Sequence, residues 1–507
     1  MKIIVDSTQM KQCDKNTIEY FGVPSLVLME RAALSVVEEM EHCYMVSSSK
    51  KEILLVCGYG NNGGDGLAAA RMLWQKGCFV TVVMPPEAKR VSPETKVQLS
   101  ILEKYQIPVL HQIPDKPFGL VVDALFGIGL TRELTGIYRE FVMKMNEMDA
   151  VKVAIDIPSG IHGDSGAVMG VGFYADLTVT FAFMKLGLLL FPGVQYAGRV
   201  IRKEIGIDSH SFLSELPQIF CLDRSDLASI PSRKVRSNKG SYGKVLTIAG
   251  GKNMAGAAFL SAKASYLTGT GLVKVLTPEE NRIILQQLLP EAILETYEQT
   301  ADNLEDFSIG LTNNLKKCIS WASVIVAGPG LGTKALVSDV IRIVLMNAAV
   351  PVILDADGLN SISAHPHWLL EAKSTVIVTP HLGEMARLTG KDIKAIQNNL
   401  METACEFARE YHVICVLKDA RTITALPDGR VWVNTSGNNG MATAGAGDVL
   451  TGVIAGLVGQ GMEPELAAPV GVYLHGAAGD VMAAEKGAYS LMAQDILDGI
   501  VHVLADG

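Results

Sequence analysis

Two aspartates in unlike settings carry the sharpest chemistry in this sequence. Asp156 closes the apolar run in "VAIDIPSG", and Asp448 follows a string of glycines in "TAGAGDVLTG". A carboxylate at the C-terminal end of a buried strand stands where open α/β sheets bind ligands, and it can take and return a proton there. A carboxylate in the first turn of a glycine-entered helix can deprotonate a hydroxyl while neighbouring amides hold a phosphoryl group. Gly437, Gly440, Gly445 and Gly447 are individually costly, which speaks against a simple capped turn at Asp448.

Further groups collect around each aspartate. "CGYGNNGGDG", residues 57–66, satisfies G-x-G-x-x-G at Gly58, Gly60 and Gly63, between strand-like "EILLVC" and helical "GLAAARMLWQKG". An ordinary dinucleotide site needs an acid about 20 residues on, at the end of the next strand. That strand ends in Val83-Met84-Pro85, and Glu87 comes only after two prolines. Asn61, Asn62 and Asp65 therefore either bind something else or hold a tight turn through their own backbone. Asn62, Asp123 and Ser159 offer hard oxygens with a single carboxylate, which suits potassium better than magnesium. By spacing alone Asp123 could equally cap its following turn. Gly127, Gly129 and Arg132 in "FGIGLTRELTG" suit a phosphate. Lys185, inside "TFAFMKLGLL", is either buried near the carboxylates or snorkelling outward. Around Asp448, the turns "VAGPGLG", "DADGLN" and "TPHLGE" (with His381 and Glu384) should surround one cleft, and "LKDART" could bring Lys418 and Arg421 to nucleotide phosphates. "GSYGKV" places valine after Gly243-Lys244, so a P-loop is unsupported.

Layered α/β frames must position these groups. In the first half, "ILLVC", "FVTVVM", "GLVVDAL", "VKVAIDI", "ADLTVTFA" and "GRVIRKEI" read as strands alternating with helical segments, the pattern of a mostly parallel sheet. Residues 208–238 are looser and read as a connection. The second half restarts at "GKVLTIAGG" and is largely helical from Met441. We expect domains at 1–215 and 225–507. The helix "SLVLMERAALSVVEEM" should pack on the sheet or on another subunit, so a homo-oligomer is expected.

The 507 residues are 49% hydrophobic with a formal net charge of -9, a balance that speaks against a general nucleic-acid binder or a basic membrane patch. Eight scattered cysteines form no disulfide framework. The N-terminus lacks the apolar stretch of a signal peptide and no apolar run of about 20 residues occurs, so a cytoplasmic protein without membrane association is expected.

The ordered motifs "GYGNNGGDG", "VVDALFGIGLTRE", "AIDIPSG", "TFAFMKLGL", "GSYGKVLTIAGG", "GPGLG", "DADGLN", "TPHLGE" and "GNNGMATAGAGDVLTG" span nearly the full chain. Together they resemble the bifunctional NAD(P)H-hydrate repair enzymes. The resemblance implies a Rossmann-like three-layer epimerase domain that interconverts R and S NADHX and NADPHX. It also implies a ribokinase-like dehydratase domain that restores NAD(P)H from the S form, spending ADP, with magnesium, to AMP and phosphate; animal counterparts use ATP. Carried over by motif, Asn61, Asn62, Gly63, Gly64 and Asp65 would contact the hydrate, as would Gly127, Ile128, Gly129, Leu130, Thr131, Arg132 and Glu133. Asn62, Asp123 and Ser159 would surround potassium, and Asp156 would be the epimerase acid/base with Lys185 nearby. In the dehydratase, Ala257, Gly332 and His381 would line the hydrate site and Asp448 would activate the C6 hydroxyl. ADP would lie on Lys418, Asp419, Ala420, Arg421 and Thr422, and on Asn438, Asn439, Gly440, Met441, Ala442, Thr443, Ala444, Gly445, Ala446 and Gly447.

Four positions depart from the family pattern: Met254 for tyrosine, Ala258 for proline, Asp419 for glycine and Ala444 for glycine. Asp419 beside ADP phosphates would weaken binding by like charge. The competing classes are a small-molecule kinase with a regulatory first domain, and a non-enzymatic dinucleotide-binding or scaffold protein. Recovery of reduced nicotinamide separates the first, and the retained Asp156 and "NNGGD" count against the second.

Overall fold

The computed structural model describes residues 1–49, 51–86, 90–298, 304–333 and 335–505. Glu87 lies outside the described residues. The chain divides into two compact units, Ile3–Pro217 and Met1–Lys2 with Gln218–Gly507.

The N-terminal unit is built on seven parallel strands in the spatial order Val109–Leu110, Phe79–Val83, Glu52–Cys57, Leu120–Ala124, Val151–Ile155, Leu177–Phe181, Arg199–Lys203. Successive residues of Glu52–Cys57 feed different cores. Ile53, Leu55 and Cys57 pack with helices Ser25–Tyr44 and Asn61–Gln75, while Leu54 and Val56 pack with Phe141 and Val142 of helix Gly136–Glu147. A sheet covered on both faces explains why its strands are continuous apolar runs without alternation. The chain moves outward from Glu52–Cys57 and then returns to its other side at Leu120–Ala124. This reversal opens a crevice beyond the C-terminal ends of those two strands.

The "NNGGD" segment corrects one expectation. It is the first turn of the helix Asn61–Gln75, not a loop ahead of it. Glycine propensity points to a turn, but close packing decides the matter. A Cβ on Gly63 would strike the Gly58 backbone, and one on Gly66 would lie 2.5 Å from Ala124 Cβ. Only glycines let this helix start so near the strand ends. Gly63→Ala should therefore lower the urea midpoint of this unit, with a loss of about 1–3 kcal/mol.

The C-terminal unit is built on a mixed sheet. Its strands run Ile293–Tyr297, Leu272–Pro278, Lys244–Ile248, Val324–Ala327, Val352–Leu354, Val376–Val378 and Ile414–Leu417, all parallel. Ile423–Ala425 and Val431–Val433 add an antiparallel hairpin. Ile219–Cys221 closes this series, parallel to Val431–Val433. The stretch expected to be a plain connection thus carries a strand, too short to register as a periodic run. A second reversal, between Lys244–Ile248 and Val324–Ala327, sets the crevice of this unit. Helix Ala446–Gly459 is apolar nearly all round because it lies in the core against Ala255–Leu267. The apolar stretch ending in "HGAAGDVMAA" lies in one helix, Pro464–Lys486, which carries Asp480.

Candidate active sites

In the N-terminal unit a cavity of about 540 Å³ occupies the switch-point crevice. Asn61, Asn62 and Asp65 reach it from the first helical turn, Gly127 to Leu130 from the loop after Leu120–Ala124, and Asp156 and Lys185 from later strand ends. Gly63 and Gly64 are buried behind that turn, and Thr131, Arg132 and Glu133 are exposed and outside the lining. Residues with no recognisable local motif complete the wall: Lys11 and Asp14 from the helix Ser7–Glu19, with Arg90, Glu94 and Tyr138. They come from distant parts of the chain and share no spacing that sequence inspection could detect.

Asp156 is held in a strained but well-supported conformation. Its φ is +68°, and its backbone N–H donates to Val179 O at 2.8 Å. Oδ1 lies 2.6 Å from Lys185 Nζ and accepts from Thr180 Oγ1 at 3.0 Å. Lys185 is 1% exposed, which settles its two sequence readings in favour of burial beside the carboxylate. Its ammonium also reaches Thr180 Oγ1 at 3.0 Å and Phe181 O at 2.7 Å, so all its donors are used. Oδ2 of Asp156 lies beside Gly127, where a Cβ would stand 3.3 Å from it and 3.4 Å from Asn62 Cγ. The lysine therefore fixes one carboxylate oxygen, and the small Gly127 leaves room at the other. Burial, reinforced by the charges of Asp156 and Asp14, pushes the nearby Asp65 carboxyl well above the ordinary range.

Of the three expected cation ligands, Asp123 and Ser159 are bonded to each other behind the cavity, and Asn62 lines the cavity itself. Asp123 is fully buried; its Oδ2 accepts from Ser159 N at 2.7 Å, and its Oδ1 accepts from Ser159 Oγ at 2.7 Å and Leu125 N at 3.2 Å. Asp123 thus does cap its following turn. Desolvation nonetheless raises its pKa to about 6. Asn62 is different: its Oδ1 and Nδ2 are both buried without a partner. A buried orphan carboxamide is costly and calls for a ligand. The oxygen donors of Asn62, Asp123 and Ser159 are of the type that suits a hard cation. Among the described residues no group of three or more His, Cys, Asp or Glu side chains could hold a metal.

In the C-terminal unit the strand ends converge around Asp355. Sequence reasoning does not single this residue out, although it places "DADGLN" at the cleft. Its Oδ1 accepts from Lys418 Nζ and Thr379 Oγ1, both at 2.8 Å, and its Oδ2 from Thr451 Oγ1 at 2.8 Å. Burial alone would lower the Lys418 ammonium, but the charges of Asp355 and Glu384 outweigh it and raise its pKa. A Cβ on Gly447 would sit 3.3 Å from Lys418 Nζ, so the start of the glycine-entered helix passes directly over this pair. Asp448 follows in that first turn. Burial, then the charge of Asp355, raises its pKa to about 7 despite Lys418.

The remaining predicted residues fall around this centre. His381 caps helix Leu382–Thr389, its Nδ1 accepting from Gly383 N at 2.9 Å, and it pairs in parallel with Lys418. Burial and the nearby cations lower its pKa, and because Nδ1 accepts, the neutral ring carries its proton on Nε2. Gly332 N donates to Asp357 Oδ2 at 2.7 Å, and Ala257 packs under Gly330 of the same turn. The 418–422 stretch meets the 438–447 stretch where Lys418 lies beside Gly447, and it is tied to the residues just before that stretch: Asn434 N donates to Thr422 O at 2.9 Å, and Arg421 Nη1 to Thr435 O at 3.2 Å. Within them Ala420, Asn439, Ala442 and Ala444 are exposed or partly so.

Residues 245–502 match the family described as NAD(P)H-hydrate dehydratase, and residues 25–187 the family described as YjeF-related protein N-terminus. The bifunctional NAD(P)H-hydrate repair enzyme of Moorella thermoacetica is 37% identical over 99% of this chain and 96% of its own. That of Escherichia coli is 31% identical over 98% and 92%. The chain belongs to the bifunctional NAD(P)H-hydrate repair enzyme family. Among solved structures, an ADP/ATP-dependent NAD(P)H-hydrate dehydratase from Bacillus subtilis, co-crystallised with ATP and Mg2+, is 31% identical over 56% of this chain and 98% of its own, with a TM-score of 0.49.

Three of the four positions that depart from the family pattern are accommodated, and nothing in the structure explains Asp419. Ala444 has no positive φ, because the left-handed residue of that turn is Gly445 at +90°. The alanine therefore costs no backbone strain. Ala258 is buried, 3.1 Å from where a Gly250 Cβ would be, while Met254 is about half exposed.

Proposed function

We propose that this chain repairs hydrated nicotinamide cofactors in two steps at two separate sites. The N-terminal cavity epimerises R and S NADHX and NADPHX. The hydrate carries its hydroxyl on C6, next to the ring nitrogen. Whether C6 inverts by loss and return of water or by ring opening and closure, one group must take and return a proton at that oxygen. Asp156 Oδ2 has the position for this, with Oδ1 anchored by Lys185. Potassium, held by Asn62, Asp123 and Ser159, would balance the buried Asp123 carboxylate. Replacing potassium by tetramethylammonium should slow epimerisation several-fold and leave dehydration of the S form at its ordinary rate; equal rates in both salts would remove the ion from this site.

The C-terminal cleft dehydrates S-NAD(P)HX. Asp448 takes the C6 hydroxyl proton, and the freed oxygen attacks the terminal phosphoryl group of ADP, releasing AMP. Phosphate then leaves C6 with its bonding electrons and C5 loses a proton, which re-forms the ring double bond. Hydroxide is a poor leaving group and phosphate a good one, which is the reason for spending a nucleotide. Backbone amides at the start of Ala446–Gly459 and the neighbouring Lys418 ammonium would supply the positive charge that the transferring group needs. Magnesium would arrive with the nucleotide phosphates.

The observation that carries this reading is the setting of Asp448, a carboxylate in the first turn of a glycine-entered helix whose preceding residue, Gly447, lies against the half-buried Lys418 ammonium. Incubation with NADHX and ADP, followed by absorbance of reduced nicotinamide, tests it. Nucleotide use without any recovery of NADH would favour the small-molecule kinase.

No described helix is long and apolar enough to cross a membrane, and all eight cysteines are free, in keeping with a reducing cytoplasm. Helix Ser25–Tyr44 buries one face in the unit but leaves Val27 and Leu34 exposed, an apolar edge that suits a homo-oligomer.

A further inference from the structure

The helix Pro464–Lys486 supplies no group to the chemistry above, yet one of its faces is fitted to the glycine-rich loop that precedes Asp448. His475, Gly476, Gly479 and Asp480 lie within one arc of the helix by their spacing. Asp480 Oδ2 accepts from Gly437 N at 2.8 Å, and its Oδ1 accepts from Asn438 Nδ2 at 2.9 Å. Asn438 Oδ1 in turn accepts from Gly440 N at 3.0 Å. A Cβ on Gly476 would run into Ser436, and one on Gly479 into the side chain of Met441. His475 lies beside the Ala446 backbone at the far end of the loop, its Nε2 buried without a partner. Every few residues from Ser436 to Ala446, the loop meets this face.

We propose that the 475–480 face is the template that shapes the 436–446 loop for nucleotide, and that Asp480 is its principal positioning residue. This rests on reading that loop as the nucleotide site. A glycine-rich segment has many backbone conformations open to it, and an anion hole requires its amides in one of them. Gly437, at a φ of +97°, is where the chain turns into the loop, and Asp480 holds its amide directly. A carboxylate suits this place because both partners are donors. An amide there could satisfy only one of them.

The pair can be exchanged without changing net charge. In the double variant Asn438→Asp with Asp480→Asn, the amide now on the helix would donate to the carboxylate now in the loop, and the carbonyl of that amide would accept from Gly437 N. The loop carboxylate would keep the bond from Gly440 N. Asp480→Asn alone should raise the KM for ADP roughly tenfold, the effect of losing one charge-assisted hydrogen bond. Asn438→Asp alone sets two carboxylates face to face and should be at least as harmful. In both, kcat should change far less than KM, and epimerisation by the same preparation should be unchanged. The exchanged double variant should recover most of the lost affinity. An unchanged KM in Asp480→Asn, or a double variant no better than the singles, would overturn the proposal. A wild-type protein that consumes neither ADP nor ATP would instead overturn the proposed function of the domain.

Discussion

Asp448→Asn should abolish nucleotide-dependent recovery of NADH from S-NADHX, with a fall in kcat of about 10²–10⁴, the usual contribution of a positioned base. The substitution keeps size and hydrogen-bonding shape in the first turn of Ala446–Gly459, so little besides the base is lost. Its effect on the helix dipole should be at most about 1 kcal/mol. Epimerisation in the same sample should continue. The wild-type pH profile gives a second reading of the same residue. Burial and the Asp355 charge put the Asp448 pKa at about 7. The base works only when ionised, so kcat/KM for S-NADHX should rise with pH through about 7 and level off above it. Below that point it should fall tenfold per pH unit. A profile flat from about pH 5.5 to 8 would mean that Asp448 does not take the proton.

Much of this site is legible in the sequence because of where the chemistry sits. Both reactive aspartates follow an apolar strand or a glycine run, and parallel α/β sheets collect such positions at switch points. The motif order around them is long enough to mark a family, which one glycine fingerprint cannot do. What stays hidden is supplied from a distance or disguised by composition. Lys11, Asp14, Arg90 and Glu94 line the first cavity from segments with no local signature. Asp480 reads as an interruption in an apolar stretch because nothing local reveals that its partners are some 40 residues earlier. Glycine propensity places "NNGGD" in a loop, whereas the close approach to Gly58 and Ala124 makes those glycines necessary to a helix start. In each case tertiary contact outweighs the local preference that sequence inspection measures. Lys185 is the converse: a charge in an apolar run is ambiguous by itself, and only its three partners show why it can be buried.

Those partners make the second large prediction specific. Asp156→Asn should stop the interconversion of R and S hydrates, again by about 10²–10⁴, with dehydration of the S form intact. Asparagine is the proper replacement because Asp156 has a φ of +68°, a region asparagine tolerates well and alanine does not. An asparagine carbonyl can still accept from Lys185, leaving an amide in place of the free oxygen beside Gly127. The buried lysine would then lack a carboxylate, so some loss of stability should accompany the loss of activity. The two are separable, because an unfolded N-terminal unit would lose its cooperative melt whereas a merely inactive one would not. Given a mixture of both epimers and excess ADP, the wild-type protein should consume all of the hydrate. The variant should consume only the S share in its fast phase and leave the R form to its slow spontaneous conversion. Chromatographic separation of the epimers during the reaction reads this directly. Complete fast consumption by a folded Asp156→Asn protein would remove Asp156 from the reaction and direct attention to Asp65, the other carboxyl on the cavity wall, whose affinity for a proton burial raises.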